Sequence, residues 1–491
     1  MRRPFWGVGA ALVVCLLGLS SFGRQQLPPA HGPNVILIMT DDMRMDDLQF
    51  MPFTRELIGD QGVTFPQSLS PYPLCCPARA ELMTGQYSHN NGVQGNSLPR
   101  GGYYKLDSSN TLATWLHDQG YDTAFMGKYL NQYGMFDQHE VPPGWDQWQG
   151  LVGNVYDYRN GIVNADGAIV KQPGIFQTDL FDQHSTQLVR QLAHSDRPYF
   201  MWVSYVAPHA ECSYPNPGGH GCWHAPSPEL SDRHTFSSLA PLTDPSINER
   251  NMSDKGAFMQ ALPLLSPADL ARIRVDRIKR IEALQAVDRA VEHMVATLKA
   301  THQYDNTYLM FTSDNGVNLG EHRWDFKVLG YEPSLLVPLL IEGPGIPHGA
   351  VRQQEVTTVD LAATISDMTN TTPTRLQDGM SLLPLAQGTA PDTGDRIVPI
   401  EAAPIDTVSP TWLYQGVRTN RYTLFQWDDG DIELYDRLKD PFEMASVDGQ
   451  PAYAAIEHYL LTKLREIRGC AGPACVAWVG SHPLVPAPNP G

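Results

Sequence analysis

Four short runs of apolar, β-prone residues, each breaking off into polar chemistry, constrain this chain more than any other feature. Residues 34–40, Asn34-Val35-Ile36-Leu37-Ile38-Met39-Thr40, run straight into Asp41 and Asp42. Residues 121–127 run into Lys128, residues 199–207 into Pro208 and His209, and residues 307–312 into Ser313, Asp314, Asn315 and Gly316. A continuous apolar run without alternation is what a strand buried on both faces of a parallel sheet requires. In open α/β sheets the ligand crevice lies beyond the carboxyl ends of the strands, so these four ends predict one shared site.

Helical patterns separate the runs. Ser266 reads as an N-cap, with Pro267 in the first turn, Asp269 three residues on, and apolar positions recurring through Ile278, Ile281, Leu284, Val287, Val291, Val295 and Leu298. Residues 111–119 read as a second helix, ended by Gly120. Helices alternating with buried strands predict an α/β fold, a large mixed, mainly parallel sheet sandwiched by helices. Residues 212–263 are rich in Pro, Gly, Ser and His without periodicity, too long for a connector, and read as a functional or surface insertion. Beyond Pro373 the texture changes. Residues 422–427 and 432–435 flank Asp428-Asp429-Gly430-Asp431 as an antiparallel hairpin, and residues 451–468 read as a helix closed by Gly469. The expected organisation is a leader over 1–31, a catalytic domain over 32–372, and a smaller C-terminal α+β subdomain with an antiparallel sheet and a Pro-rich tail over 373–491.

Arg2 and Arg3 precede an apolar run over residues 5–22, the layout of an export signal, either cleaved or kept as an anchor. The expected address is outside the cytoplasm: secreted, periplasmic or attached to the cell envelope, with membrane contact only if the segment is retained. Val14 is bulky where a small residue should precede a lipidated Cys15, which argues against a lipoprotein. In an exported chain, Cys212 with Cys222 and Cys470 with Cys475 read as short local disulfides. The 35 Lys and Arg against 53 Asp and Glu, a formal charge of -18, repel phosphate backbones, so nucleic acid is excluded as an expected partner. An anionic substrate must be met by a few local cations.

Asp41, Asp42 and Asp314 supply carboxylates, and Asn315 an amide oxygen, at two of the strand ends. Such hard donors suit calcium or magnesium. Between them in sequence lies Pro73-Leu74-Cys75-Cys76-Pro77-Ala78-Arg79-Ala80-Glu81-Leu82-Met83-Thr84-Gly85, which contains C-x-P-x-R followed by A-x-x-x-T-G. This segment resembles the signature of the type I sulfatases of the alkaline phosphatase superfamily. Residues 120–129, ending in Gly127-Lys128-Tyr129, resemble the second signature, departing from it at Met126. Thr40-Asp41-Asp42, Ala207-Pro208-His209, Ser313-Asp314-Asn315-Gly316, Gly320-Glu321-His322 with Lys327, Glu433-Leu434-Tyr435-Asp436 and Asp440-Pro441 extend the resemblance over residues 34–469.

The resemblance implies an arylsulfatase-type or N-acetylglucosamine-6-sulfatase-like enzyme that cleaves an aryl or carbohydrate O-sulfate. It implies that Cys75, two places before Pro77, is oxidised by a formylglycine-generating enzyme, and that the hydrate of the resulting aldehyde is the nucleophile. It further implies calcium, with magnesium as the alternative, on Asp41, Asp42, Asp314, Asn315 and the converted Cys75. Arg79 and Lys128 would stabilise the hydrate, and His209 or Lys327 would protonate the leaving oxygen. Many sulfatases carry a His two residues after the signature lysine, where this chain has Leu130. Asn131 and His89 are the candidates to replace it. A formylglycine phosphodiesterase or phosphonate monoester hydrolase shares the same nucleophile and metal site, and a silent glycan-binding relative is the reading of another class.

Overall fold

The computed structural model describes residues 32–212, 225–390, 394–404, 412–480 and 486. The expected leader, Cys222 and most of the Pro-rich tail lie outside the described residues. Among those described, no helix is long and apolar enough to cross a membrane.

The four apolar runs form adjacent strands at the centre of a ten-stranded sheet: β1 (Asn34–Thr40), β2 (Asp122–Gly127), β3 (Tyr199–Ser204) and β4 (Thr307–Ser313). They lie in the order β4-β1-β3-β2 and all pair in parallel. Val35 of β1 is opposite Phe200 on one side and Tyr308 on the other, so the four carboxyl ends emerge together. Every residue of β1, β3 and β4 is buried, which explains why their sequences do not alternate. The flanks are mixed. Gln147–Gly153 continues the parallel pairing beside β2, whereas Leu339–Glu342 runs antiparallel to β4.

Helices cover both faces: α1 (Cys75–Thr84), α2 (Leu112–Gln119), α3 (Gln177–Leu192) and α4 (Pro267–Ala300). α4 begins as its sequence requires, with the Ser266 hydroxyl accepting from Asp269 N–H at 3.2 Å and the Asp269 carboxylate accepting from Ser266 N–H at 3.0 Å. Its buried stripe, Ile281, Leu284, Val287, Val291, Val295 and Leu298, packs with Ile36 and Ile38 of β1 in one core layer. The other face of β1, carrying Val35, Leu37 and Met39, packs against Ala80, Leu82 and Met83 of α1 and Leu112, Ala113 and Leu116 of α2.

A separate five-stranded antiparallel sheet is built from residues 396–478, and the predicted hairpin appears in it as Tyr422–Trp427 paired with Ile432–Asp436. Gly430 in its turn has φ 98°, a backbone only glycine adopts without strain. The expected helix is present as Ala454–Ile467. The Cys470–Cys475 disulfide is formed; Cys212 is also disulfide-bonded. The described part of the insertion lies mostly on the surface and is anchored inward at a few residues. Ser246, Glu249 and Lys255 are buried, His322 N–H donates to Ser246 O at 2.8 Å, and Gly256 N–H donates to Glu433 at 2.7 Å.

This second sheet braces the segment in front of Cys75. Glu401 N–H donates to Pro71 O at 3.1 Å, and Ala403 N–H donates to Tyr72 Oη at 2.7 Å.

Candidate active site

The four strand ends and the start of α1 converge. Asp42 turns the chain out of β1 with φ 68°, a left-handed conformation uncommon outside glycine, and its N–H is held by the Asp314 carboxylate at 3.0 Å. Gly127 at the end of β2 also has positive φ, 105°, and a Cβ there would stand 1.9 Å from Ser204 O. Only glycine allows β2 to close on β3 at this point, which sends Lys128 into the site with its N–H on Ser204 O at 3.0 Å.

α1 starts at Cys75 after an extended Leu74, with Pro77 in its first turn. The Cys76 N–H, which no turn of the helix can satisfy, is met by the Asn96 side chain at 2.9 Å. Cys75 Sγ lies 3.6 Å from Asp41 Oδ1, 3.9 Å from Asp42 Oδ1 and 2.8 Å from Lys327 Nζ. Arg79, one helical turn on, is buried and donates to Asp314 at 2.8 Å, to Lys128 O at 2.7 Å and to Ser204 Oγ at 2.7 Å. Lys128 Nζ reaches Asp41 at 2.5 Å, and Lys327 Nζ is bonded to Asp42. His209 Nε2 faces Asp42 at 3.6 Å. Its Nδ1, 2.7 Å from Ala210 O, carries the proton in the neutral ring, which leaves Nε2 as an acceptor.

Asn315 donates to Asp42 at 2.7 Å, so the residues assigned from sequence to the nucleophile, its cations, the proton and the metal meet in one cluster. His89 does not join it. Its Nδ1 is 2.9 Å from Glu401 and its Nε2 3.0 Å from Cys470 O, a tie between the loop after α1 and the second sheet. Leu130 is buried in the core, and Asn131 donates to Tyr156 Oη at 3.1 Å rather than to Cys75. Arg280 of α4 donates to the Asp42 and Pro208 carbonyls and ties two of the strand ends together. Sequence reasoning passed over Arg280, Ser204 and Tyr156. Arg280 alone left a signal, a charge on the buried face of α4, four residues before Leu284 and seven before Val287.

Burial and charge set the protonation states. Burial pushes the Cys75 thiol up to about 12, although Lys128 and Lys327 pull the other way. Burial brings His209 down to about 4, so the ring is neutral at neutral pH. Burial also opposes the charge on Lys327, but Asp42 and Cys75 outweigh it and hold the ammonium well above its ordinary value. Burial raises Asp41, with Asp314 adding to the rise. On Asp42 burial is outweighed by Lys327 together with Lys128 and Arg280, and on Asp314 by Arg79 together with Lys128 and Lys327, so both carboxyls lie below the usual range.

The residues present fit a hard divalent cation. The Asn315 Oδ1 atom is buried and accepts no hydrogen bond, an orphaned donor for a cation. Donor atoms of Asp41, Asp42, Cys75 and His209 lie within 4.8 Å of one another. Asp314 is more committed, accepting from the N–H groups of Asp42 and Asn315 and from Arg79. The second grouping of metal-type side chains, His89 with Cys470 and Cys475, offers no thiolate because its cysteines are bonded to each other.

A family model described as Sulfatase matches residues 33–371, and one described as N-sulphoglucosamine sulphohydrolase, C-terminal, matches residues 320–469. The extracellular sulfatase SULF-1 homolog of Drosophila melanogaster is 33% identical over 366 residues, 72% of this chain and 31% of that protein. The chain spans 31%, 49% and 54% of the length of the first curated relatives it matches. The human N-acetylglucosamine-6-sulfatase is 29% identical over 517 residues, 95% of this chain and 90% of that protein. Among solved structures, one in complex with its substrate D-glucosamine-2-N,6-O-disulfate superposes with TM-score 0.74 at 21% identity, covering 89% of this chain and 98% of that one. The phosphonate monoester hydrolase of Agrobacterium radiobacter superposes with TM-score 0.70 at 23% identity, covering 89% and 96%.

Proposed function

The chain belongs to the sulfatase family, and from that premise we propose that it hydrolyses the sulfate monoester of a sulfated sugar to an alcohol and inorganic sulfate, through a nucleophile formed from Cys75. The observation that carries this reading is the contact of Cys75 with Lys327 and the Asp41 and Asp42 carboxylates at the convergence of four strand ends, with Lys128 paired to Asp41 and Arg79 to Asp314 in the same cluster. A sugar substrate is supported by the human relative, an N-acetylglucosamine-6-sulfatase, and by the disulfated glucosamine bound in the solved neighbour. Export is supported by the extracellular relative.

A thiol held near 12 is protonated at neutral pH and is a poor nucleophile. That supports chemistry on a conversion product of Cys75 rather than on the cysteine. Formylglycine at this position supplies an aldehyde hydrate as nucleophile, and calcium, with magnesium as the alternative, supplies the charge that an anionic ester requires. Asp41, Asp42, Asp314 and Asn315 would hold the cation. Arg79 is fixed by four acceptors and cannot swing, so its charge is a permanent feature of the nucleophile's surroundings. Lys128 supplies a second fixed charge. Lys327 carries a proton at neutral pH beside Cys75 and is placed to deliver it to the departing sugar oxygen. His209, neutral with a free Nε2, accepts or relays a proton rather than starting with a spare one.

The likeness to the phosphonate monoester hydrolase favours one second reading, because the same cations suit a phosphonate monoester. Turnover of N-acetylglucosamine 6-sulfate, nitrophenyl sulfate and a nitrophenyl phosphonate monoester by calcium-loaded enzyme separates the two. Faster sulfate release supports the sulfatase reading; faster phosphonate cleavage replaces it.

A further inference from the structure

We infer that Tyr156 is a positioning residue of this site, its ring fixing the orientation of His209 and the ammonium of Lys128. The inference rests on the hydrolase reading above and deepens it. The Tyr156 ring stacks on the His209 imidazole with centroids 4.2 Å apart and planes 20° from parallel. Lys128 Nζ sits 4.9 Å from the centroid of the same ring. One half-buried aromatic side chain thus touches two functional groups that arrive from different strand ends.

Among the described residues, neither group touches a second ring. Among the described residues the His209 ring has one hydrogen-bond anchor, Nδ1 on Ala210 O at 2.7 Å, with Nε2 3.6 Å from Asp42, which leaves rotation of the ring plane to be set by packing. Lys128 is tied to Asp41 at 2.5 Å, but an ammonium on a four-carbon stem keeps alternative rotamers unless a second surface confines it. A stacked ring and a cation over its face supply both restraints.

Tyr156 is itself held at two points, and its neighbour Tyr158 ties the same segment to His209. Asn131 donates to its hydroxyl at 3.1 Å, Cys212 N–H donates to its carbonyl at 3.2 Å, and Tyr158, two residues on, donates to His209 O at 2.7 Å. This arrangement also accounts for Leu130. The side chain at that position turns into the core, and the polar role passes through Asn131 to Tyr156 instead of acting on residue 75 directly.

The test uses the calcium-loaded, converted enzyme and compares Tyr156→Phe, Tyr156→Leu, His209→Ala and the Tyr156→Leu/His209→Ala double variant. Sulfate and phosphonate esters are both assayed with wild type, and the comparison is made on the faster ester, so the chemistry and the role of Tyr156 fail separately. Tyr156→Leu is expected to lower kcat about tenfold to a hundredfold with KM within about threefold, because positioning acts on the transition state. Tyr156→Phe keeps the ring and should stay within about threefold of wild type, and the double variant should be slower than His209→Ala by less than the loss Tyr156→Leu causes in wild type, the remainder being the part that acts through Lys128. If Tyr156→Leu does not fold, Asn131→Ala serves: its loss in kcat should not exceed that of Tyr156→Phe, about threefold, and should vanish in a Tyr156→Phe background. Unchanged kcat in Tyr156→Leu, Tyr156→Phe as poor as Tyr156→Leu, multiplying losses in the double variant, or an Asn131→Ala loss that persists without the hydroxyl would each overturn the inference.

Discussion

The ammonium of Lys327 lies 2.8 Å from Sγ of Cys75, although 252 residues separate them. The contact is enforced locally. Val328 follows Lys327 with φ 85°, an outlier for a β-branched residue, and its N–H donates to Pro73 O at 3.0 Å. Strained backbone of this sort persists where surrounding structure fixes it, here by tying the Lys327 loop to the start of α1.

The first prediction concerns the proton. Lys327 is protonated and His209 neutral at neutral pH, so Lys327→Ala should slow esters of poor leaving groups by about 10² to 10⁴ and activated aryl esters much less. His209→Ala should show a shallower dependence on leaving-group pKa. The rates of a graded series of aryl sulfates report this, and slopes equal to wild type in both variants would remove both residues from the proton path.

The two adjacent cysteines should behave differently. Cys75→Ala should abolish turnover, since it removes the nucleophile from a site whose other contacts are charged side chains. Cys76 packs into the core beside Leu82 and Met83, so Cys76→Ala should keep activity and lose about 1 to 2 kcal/mol of stability for the buried atom removed. Kinetics with urea unfolding of both variants checks this; equal losses of activity in folded proteins would show the nucleophile to be misassigned.

Chelation should suppress activity and calcium should restore it. Asp41→Asn, Asp42→Asn and Asp314→Asn should each weaken calcium binding measured by calorimetry. Asp314→Asn should in addition cost about 3 to 5 kcal/mol of stability, because it leaves the buried Arg79 guanidinium without its short ion pair. Full activity in metal-free protein, shown by elemental analysis, would contradict the role of these carboxylates.

Glu332 provides a pH prediction away from the site. Burial raises its carboxyl, but Arg418, at 2.7 and 2.9 Å, and Arg437 bring it down to about 2. The folded carboxyl thus titrates below the unfolded one at about 4.3, so the folded state binds fewer protons. Its contribution is complete above the unfolded value and is lost as pH falls toward about 2. Thermal midpoints between about pH 5 and pH 3 should therefore fall more steeply for wild type than for Glu332→Gln. Parallel curves would show that the pair contributes nothing to acid sensitivity.

The central strands were legible because burial on both faces writes an unbroken apolar run, and α4 because its cap and stripe are local. The cluster around Cys75 was legible because a motif and four strand ends each name residues that need no other signal. Tyr156 was not, since it lies in an irregular segment and acquires its partners only when β2 and β3 stand side by side. The tie from His89 to Glu401 spans 312 residues and has no local signature, so a histidine near the nucleophile in sequence could not be told from one in the site.

The central claim is that sulfate ester hydrolysis runs on the conversion product of Cys75. The most direct measurement is sulfate release from N-acetylglucosamine 6-sulfate across preparations that differ in converted fraction, read by mass spectrometry of the Cys75 peptide. The account predicts a rate proportional to the aldehyde fraction, passing through zero when only thiol is present. Equal sulfate release from unconverted and converted protein would contradict it.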